Sequence, residues 1–209
     1  MTIFIQGFLL QASLILALGA QNIFVLESGL KKQRHLLVAT VCSICDLLLI
    51  FVGVLGAATF FIHVPALKFI FGLLGVGFLF FYGALKLKDY FSFTQARASS
   101  IEPKAQGASA KQMVLNTLGF SLLNPHVYLD TVILIGGFAT QYSELTHRLQ
   151  FGLGAGALSV LWFFSLAYFA SLLGPYLQSE KNMKRVSLIS GTILILLSIK
   201  LGLDVVRWF

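Results

Sequence analysis

The stretch Leu123-Asn124-Pro125-His126-Val127-Tyr128-Leu129-Asp130 decides the fold of this chain, because it places polar groups inside an apolar segment. That segment runs from about Met113 to about Phe138, and roughly 20 apolar residues are enough to cross the hydrocarbon core of a bilayer. Proline removes a backbone donor, so a helix here bends or breaks. Broken backbone at membrane depth is tolerated only against protein or water, and an ionisable residue there indicates function. The stretch therefore predicts a transport site at an interrupted membrane helix.

The composition of the whole chain points to the same class of protein. Of 209 residues, 57% are hydrophobic and 11% are charged, whereas soluble domains have about 25% charged residues. Lysine and arginine outnumber aspartate and glutamate by 15 to 8. These basic residues lie between apolar segments, so they indicate loops facing anionic lipid rather than a nucleic-acid surface. We therefore predict an all-α integral membrane protein with membrane lipid, and no nucleic acid, among its partners.

Six apolar segments are long enough to be membrane spans. They cover residues 3–26, 36–62, 65–85, 113–138, 148–173 and 186–206. With six spans, eleven basic residues fall on one side of the membrane and four on the other. The richer side is cytoplasmic by the positive-inside rule, so both termini are expected outside. This arrangement predicts a multi-pass protein of the bacterial cytoplasmic (inner) membrane.

The chain also divides into two similar halves, residues 1–90 and 112–209, joined by a polar cytoplasmic linker at 91–111. Gly19-Ala20-Gln21-Asn22 aligns with Asn124-Pro125-His126-Val127, and Ser43-Ile44-Cys45-Asp46 aligns with Ser159-Val160-Leu161-Trp162. Each half holds three spans, an odd number, so the halves are inverted relative to each other. Interrupted helices at corresponding positions indicate a midplane site. We therefore expect helices one and four to break at midplane, at Gly19 and Ala20 and at Pro125.

Several polar residues inside the spans have a structural as well as a functional interpretation. A carboxylic acid such as Asp46 costs free energy at this depth, which favours a functional role. The structural interpretation is that Asp46 is protonated and forms a hydrogen bond with a neighbour. Gln21 and Asn22 either mark an unwound point or form hydrogen bonds between helices. Trp162 either packs toward lipid or forms one wall of a cavity. Lys200 lies near the end of span six, where it can extend toward the interface.

Three motifs together resemble one known family. Leu18-Gly19-Ala20-Gln21-Asn22, Cys45-Asp46-Leu47 and the opening stretch through Thr131 closely resemble the LysE-type lysine/arginine exporters, over nearly the whole chain. The wider superfamily has proline where this chain has Ala20. The resemblance implies a transporter rather than an enzyme, without cofactor or bound metal. It implies export of L-arginine or L-lysine from the cytoplasm in exchange for protons.

The physical chemistry of a cationic amino acid fits these motifs. Asp46 and Asp130 can neutralise its two cations, and each can carry a proton in another state. The carboxylate can lie on helix N-termini exposed after Gly19 and Asn124. His126 can bind substrate, pass a proton or bond the broken backbone. The expected substrate-binding residues are Gly19, Gln21, Asn22, Asp46, Asn124, His126, Tyr128 and Asp130.

Other functions remain open from the sequence. An exporter of neutral amino acids or of a heavy-metal cation would use a similar frame, and the thiols of Cys42 and Cys45 could serve a soft ion. The same C-x-x-C spacing is compatible with a transmembrane thiol–disulfide electron carrier, or with two small side chains packed against a helix. Small residues on spans three and five permit a homodimer without requiring one.

Overall fold

The structure, a computed structural model, describes residues 2–15, 19–57, 65–95, 109–177 and 180–207, and every regular element in these ranges is a helix. Helix α6 has three parts, a first turn at Pro125–Val127, a π-helix at Tyr128–Ile135 and a last turn at Gly136–Ala139. A short π-helix, Gly53–Ala57, extends helix α3, which covers His35–Val52. The other helices are α1 Thr2–Ile15, α2 Ala20–Leu30, α3 His35–Val52, α4 Pro65–Gln95, α5 Ala110–Leu122, α7 Leu145–Leu177 and α8 Glu180–Arg207.

The length and composition of the helices are those of a membrane protein. Within the described ranges, His35–Gly56, Leu145–Tyr176 and Lys184–Arg207 are long and apolar enough to cross a bilayer. Helices α1 and α2 would make a fourth span if they are taken together, with their axes bent by 81°. Large apolar side chains such as Leu48 and Phe81 are exposed on the outside, as expected where the surrounding medium is lipid. The prediction of an all-helical membrane protein is confirmed at this level.

The two halves of the chain interlock instead of folding side by side. Helices α1, α2 and α3 all pack against α7, and α4 pairs along its length with α8. The α1–α7 contact is very close, because a Cβ added at Gly7 would overlap the carbonyl oxygen of Phe151 and one at Gly154 would overlap that of Phe4. Small residues allow this approach of two backbones in a membrane. Elements from both halves therefore enclose the interior together.

Two apolar clusters flank the centre of the molecule. One contains Phe120, which stacks on Phe24 at 4.6 Å between ring centroids and meets Tyr82 edge-on at 4.8 Å. The other joins α3 and α6 to α7 around Ile50, Ile135 and Phe151. These clusters fix the broken helices in place, so the polar residues at the breaks are held by packed surroundings.

Some boundaries differ from the predicted ones. Glu27 was expected to begin a loop, but α2 continues to Leu30 and the Glu27 side chain is buried, because two lysines neutralise it. Helix α4 continues to Gln95, so the first residues of the predicted 91–111 linker are helical, and α5 begins at Ala110. Linker residues 96–108 and the end of predicted span two, 58–62, lie outside the described residues.

Candidate functional site

The first interruption separates α1 from α2. Gly19 has extended backbone angles, φ −85° and ψ 172°, and precedes the first residue of α2. The Asn22 side chain links both sides of the interruption, because its Nδ2 donates to the Ile15 carbonyl at 2.9 Å. Its Oδ1 accepts from Trp162 Nε1 at 3.1 Å. Asn22 thus satisfies a carbonyl at the end of α1 and connects it to α7.

The second interruption separates α5 from α6, and its own side chains satisfy the broken backbone. Asn124 Oδ1 accepts from the backbone N–H of His126 at 3.2 Å, an N-cap contact. The Tyr128 hydroxyl donates to the Leu122 carbonyl at 2.7 Å, across the interruption. The π-helix that follows at Tyr128–Ile135 is an uncommon conformation that is frequent at functional sites. These contacts let irregular backbone lie at membrane depth.

The two interruptions open onto one cavity of about 320 Å³. Eight of the predicted site residues line it, namely Gly19, Ala20, Gln21, Asn22, Asp46, Asn124, His126 and Asp130. Tyr128 is not among the described lining residues, since its hydroxyl is directed at the Leu122 carbonyl. Pro125 begins α6. The rest of the wall is largely apolar, with Leu79, Phe163 and Leu201 among its members.

Asp46 is the most deeply buried acid of the cavity. It is 3% exposed, and its Oδ2 accepts a hydrogen bond from the Ser159 hydroxyl at 3.0 Å. Ser159 Oγ in turn accepts from Gln11 Nε2 at 2.7 Å. Within the described part of the chain, Asp46 Oδ1 and Gln11 Oε1 are both buried without a hydrogen-bond partner. The cluster therefore leaves two acceptors available to an occupant of the cavity.

Gln21 and the two cysteines lie close to this acid but have other roles in packing. Gln21 Nε2 donates to the Ser121 hydroxyl at 3.1 Å, which joins α2 to α5. Cys42 and Cys45 are free thiols, and both are buried. A thiol–disulfide carrier needs thiols that a partner can reach, so their burial favours the interpretation of two small packed side chains.

The structure adds residues that the sequence did not indicate. Gln11 is one of two amides in α1, with Gln6, and an amide in an apolar helix was a usable signal, whereas only the fold brings Ser159 to Asp46. Lys200 was interpreted as extending toward the interface, yet it lines the cavity while remaining exposed. Asp204 lies one turn beyond, with its Oδ2 4.0 Å from His126 Nε2. Charges of both signs therefore lie on or beside the cavity lining near His126.

A second charged cluster joins three helices away from the cavity. Glu27 Oε1 lies 2.5 Å from Lys31 Nζ and 2.7 Å from Lys86 Nζ, which brings α4 to α2. Lys31 Nζ also donates to the Ser187 hydroxyl on α8 at 3.0 Å. The carboxylate is almost fully buried, so its charge depends on both lysines.

Known proteins show where this architecture belongs. Residues 12–205 match the family described as LysE type translocator. The YggA protein of Aeromonas salmonicida is 39% identical over 95% of this chain and 94% of its own length. The proteins named arginine exporter protein ArgO of Serratia proteamaculans and Klebsiella pneumoniae are each 37% identical, covering 93% and 96% of this chain and 93% of their own lengths. No solved structure matches the chain. The chain belongs to the LysE family of translocators.

Proposed function

We propose that this protein exports basic L-amino acids, arginine above all, from the cytoplasm by secondary active transport in exchange for protons. Relatives named as arginine exporters cover nearly the whole chain and support this substrate class. The observation that carries the proposal is the shared cavity, which both Asp46 and Asp130 line. An acid left with an unpartnered oxygen in such surroundings is stabilised either by its own protonation or by a cationic occupant.

The charges around the cavity complement those of the substrate. Besides His126, the ionisable side chains that line it within the described residues are Asp46, Asp130 and Lys200. Two acids and one base have a formal charge of −1. Arginine carries two cations and one carboxylate, a formal charge of +1. A substrate whose formal charge is opposite to that of the site neutralises the site. This neutralisation lowers the cost of bringing the substrate to membrane depth.

The substrate carboxylate has a suitable position at the start of α2. Helix N-termini carry free N–H groups and a positive partial charge. The N-cap residue of α2 is Gly19, which has no side chain to occupy those groups. By contrast, Asn124 already caps the start of α6. We therefore assign the carboxylate to the α2 terminus, where free N–H groups can bind it. Lys200 would supply a full positive charge to the same carboxylate.

Proton exchange supplies the energy for export. Moving one positive charge out against an inside-negative potential costs about 2.3 kcal/mol per 100 mV. If Asp46 and Asp130 carry either protons or the substrate cations, entry of protons offsets that cost. The six-span arrangement as two inverted repeats, with basic loops in the cytoplasm, provides the two access states in this scheme.

Counterflow in proteoliposomes tests the function. We expect labelled arginine to accumulate in vesicles preloaded with unlabelled arginine, and a proton gradient imposed in the exchange direction to stimulate transport. Asp46→Asn should reduce transport by about 100-fold or more, because an amide cannot neutralise a cation and removal of one partner of a buried charge pair costs about 3–5 kcal/mol. Asp130→Asn should reduce transport less, because Asp130 is partly exposed.

Two comparisons separate this proposal from its rivals. Glu144→Asn changes an acid in an exposed loop and serves as the matched control, with transport expected at the normal rate. Threonine and a cadmium salt, added as competitors, should leave arginine counterflow unchanged. Normal transport by Asp46→Asn would remove the acids from the mechanism, and inhibition by threonine or cadmium would favour a neutral amino acid or a metal as the cargo.

A further inference from the structure

We propose that Gln11, together with Asp46, forms the subsite for the substrate's guanidinium group and sets a preference for arginine over lysine. This inference rests on the proposed export of basic amino acids. It concerns the orientation of the substrate and a residue outside the motifs of the chain. Its starting point is the buried cluster of Gln11, Ser159 and Asp46, of which Gln11 and Asp46 line the cavity.

The hydrogen bonds inside the cluster fix which atoms are left over. The Gln11 amide donates to Ser159 Oγ at 2.7 Å, and that hydroxyl donates to Asp46 Oδ2 at 3.0 Å. One hydroxyl therefore holds both side chains, and its only proton is used. The two atoms without a partner, Gln11 Oε1 and Asp46 Oδ1, are both acceptors, and the Gln11 amide also retains a second N–H.

These two buried acceptors cost free energy unless a ligand donates hydrogen bonds to them. Gln11 is 2% exposed, Asp46 is 3% exposed and Ser159 is fully buried. Neither Gln11 Oε1 nor Asp46 Oδ1 has a partner among the residues that the structure describes. Buried polar atoms are nearly always hydrogen-bonded, so an occupant that presents several N–H groups is expected here. A carboxylate oxygen beside an amide oxygen favours a cationic donor.

The more exposed part of the cavity lining suits the other part of the amino acid. Asp130 is partly exposed and Lys200 is exposed, so this part of the lining carries both charge signs. An α-ammonium always has a carboxylate beside it, and the Asp46 carboxylate in the buried cluster would repel that carboxylate. The side-chain cation has no such neighbour. The zwitterionic end is therefore placed near Asp130 and Lys200, with the side chain directed at Gln11.

Guanidinium and ammonium differ in how they use two separate acceptors. Guanidinium presents five N–H donors in a rigid planar fork, so it can engage an amide and a carboxylate at the same time. An ammonium group is a compact point charge, so its position is determined mainly by the carboxylate and less by the amide oxygen. Loss of the Gln11 oxygen should therefore weaken the binding of arginine more than the binding of lysine. If Gln11 had only a structural role, its loss would affect both amino acids equally.

The experiment measures KM for arginine and for lysine in proteoliposomes holding the full chain. Gln11→Leu and Gln11→Met remove the amide, and Met also keeps the length of the side chain. We expect KM for arginine to rise about tenfold or more, as for the loss of one hydrogen bond to a charged group, and KM for lysine to change less than about threefold. Gln6→Leu, on the same helix but outside the cavity lining, should change neither value.

The outcomes distinguish this inference from the proposed function. Equal rises for arginine and lysine, or no rise for either, would overturn the assignment of Gln11 even if arginine is exported. An absence of arginine transport by the unmodified chain would instead overturn the function itself. If neither Gln11 variant folds, thermal stabilisation of the unmodified protein decides the matter, because equal stabilisation by arginine and lysine at equal concentration contradicts the preference.

Discussion

Among single residues, Glu27 shows most directly how one charge stabilises this fold. Its side chain is buried between Lys31 and Lys86, and Lys31 also reaches Ser187. Such a cluster is more sensitive to the loss of its central charge than to replacement as a whole, because two partly buried cations without an anion are poorly solvated. A surface salt bridge in the same protein should contribute little.

We therefore expect Glu27→Ala to lower the free energy of unfolding by about 3–5 kcal/mol, measured by denaturant titration in detergent micelles. Glu144→Ala is the control, since Glu144 is exposed and lies 3.6 Å from His147, and it should have an effect below about 1 kcal/mol. Adding Lys31→Met and Lys86→Met to Glu27→Ala should recover much of the loss. No recovery in the triple variant would show that charge is not the cause.

At the same scale, sequence alone reveals which residues are unusual but not which residues meet. Asp46 and Asp130 are indicated by the cost of an acid in an apolar segment, and both line the cavity. The partner of Asp46 is Ser159, 113 positions away. A serine in a membrane helix is ordinary and carries no signal of its own. The sequence also did not predict that Lys200 lines the cavity, because a lysine near a helix end is expected to reach the interface.

Among the helices, the tightest constraint is the contact between α1 and α7. An added methyl at Gly154 would overlap the backbone of Phe4, and backbone cannot move aside as a flexible side chain can. This contact matters for the site, because α1 carries Gln11 and α7 carries Ser159. Separation of the two helices would therefore also disturb the environment of Asp46.

We predict that Gly154→Ala destabilises the protein by about 1–3 kcal/mol, as overpacking does. The matched variant is Gly77→Ala, since Gly77 lies within α4 and an added Cβ there meets nothing within 4 Å. Gly77→Ala should be neutral or stabilise the protein by up to about 1 kcal/mol, because alanine loses less entropy than glycine in a helix. Thermal unfolding in detergent measures both. Equal loss in the two variants would contradict the close α1–α7 approach.

The interruptions show what sequence can and cannot specify about an element. Proline and glycine beside polar residues mark where a helix cannot continue, and the structure has new helices beginning at Ala20 and Pro125. The π-helix at Tyr128–Ile135 had no such signal, because its residues are compatible with an ordinary α-helix. This π-helix packs against α3, a contact between distant parts of the chain that the local sequence does not reveal.

For the whole molecule, apolar segment length predicts helices that cross a membrane, but the pairing of those helices comes from the fold. The sequence divides at the polar linker, which suggests two separate halves. In the structure α4 pairs with α8, and the first three helices pack on α7. This interlocking follows from burial, because the polar residues of each half find their partners on the other. Asn22 with Trp162 and Gln21 with Ser121 are two examples.

The predicted orientation in the membrane rests on charge and is open to a direct test. In the predicted six-span arrangement, 11 of the 15 basic residues lie on the side that includes Gln33, and the segment containing Gln141 lies on the opposite side. Both glutamines are exposed, and neither carries a charge, so their replacement leaves the charge bias unchanged. The native thiols Cys42 and Cys45 are buried, which keeps the labelling background low.

We expect a membrane-impermeant maleimide to label Gln141→Cys in intact spheroplasts and to label Gln33→Cys only after permeabilisation. The physical reason is that lysine- and arginine-rich loops are retained in the cytoplasm. The unmodified chain is the control and should remain unlabelled in both conditions. Labelling of Gln33→Cys in intact spheroplasts would reverse the orientation. The direction of export would then require a different explanation.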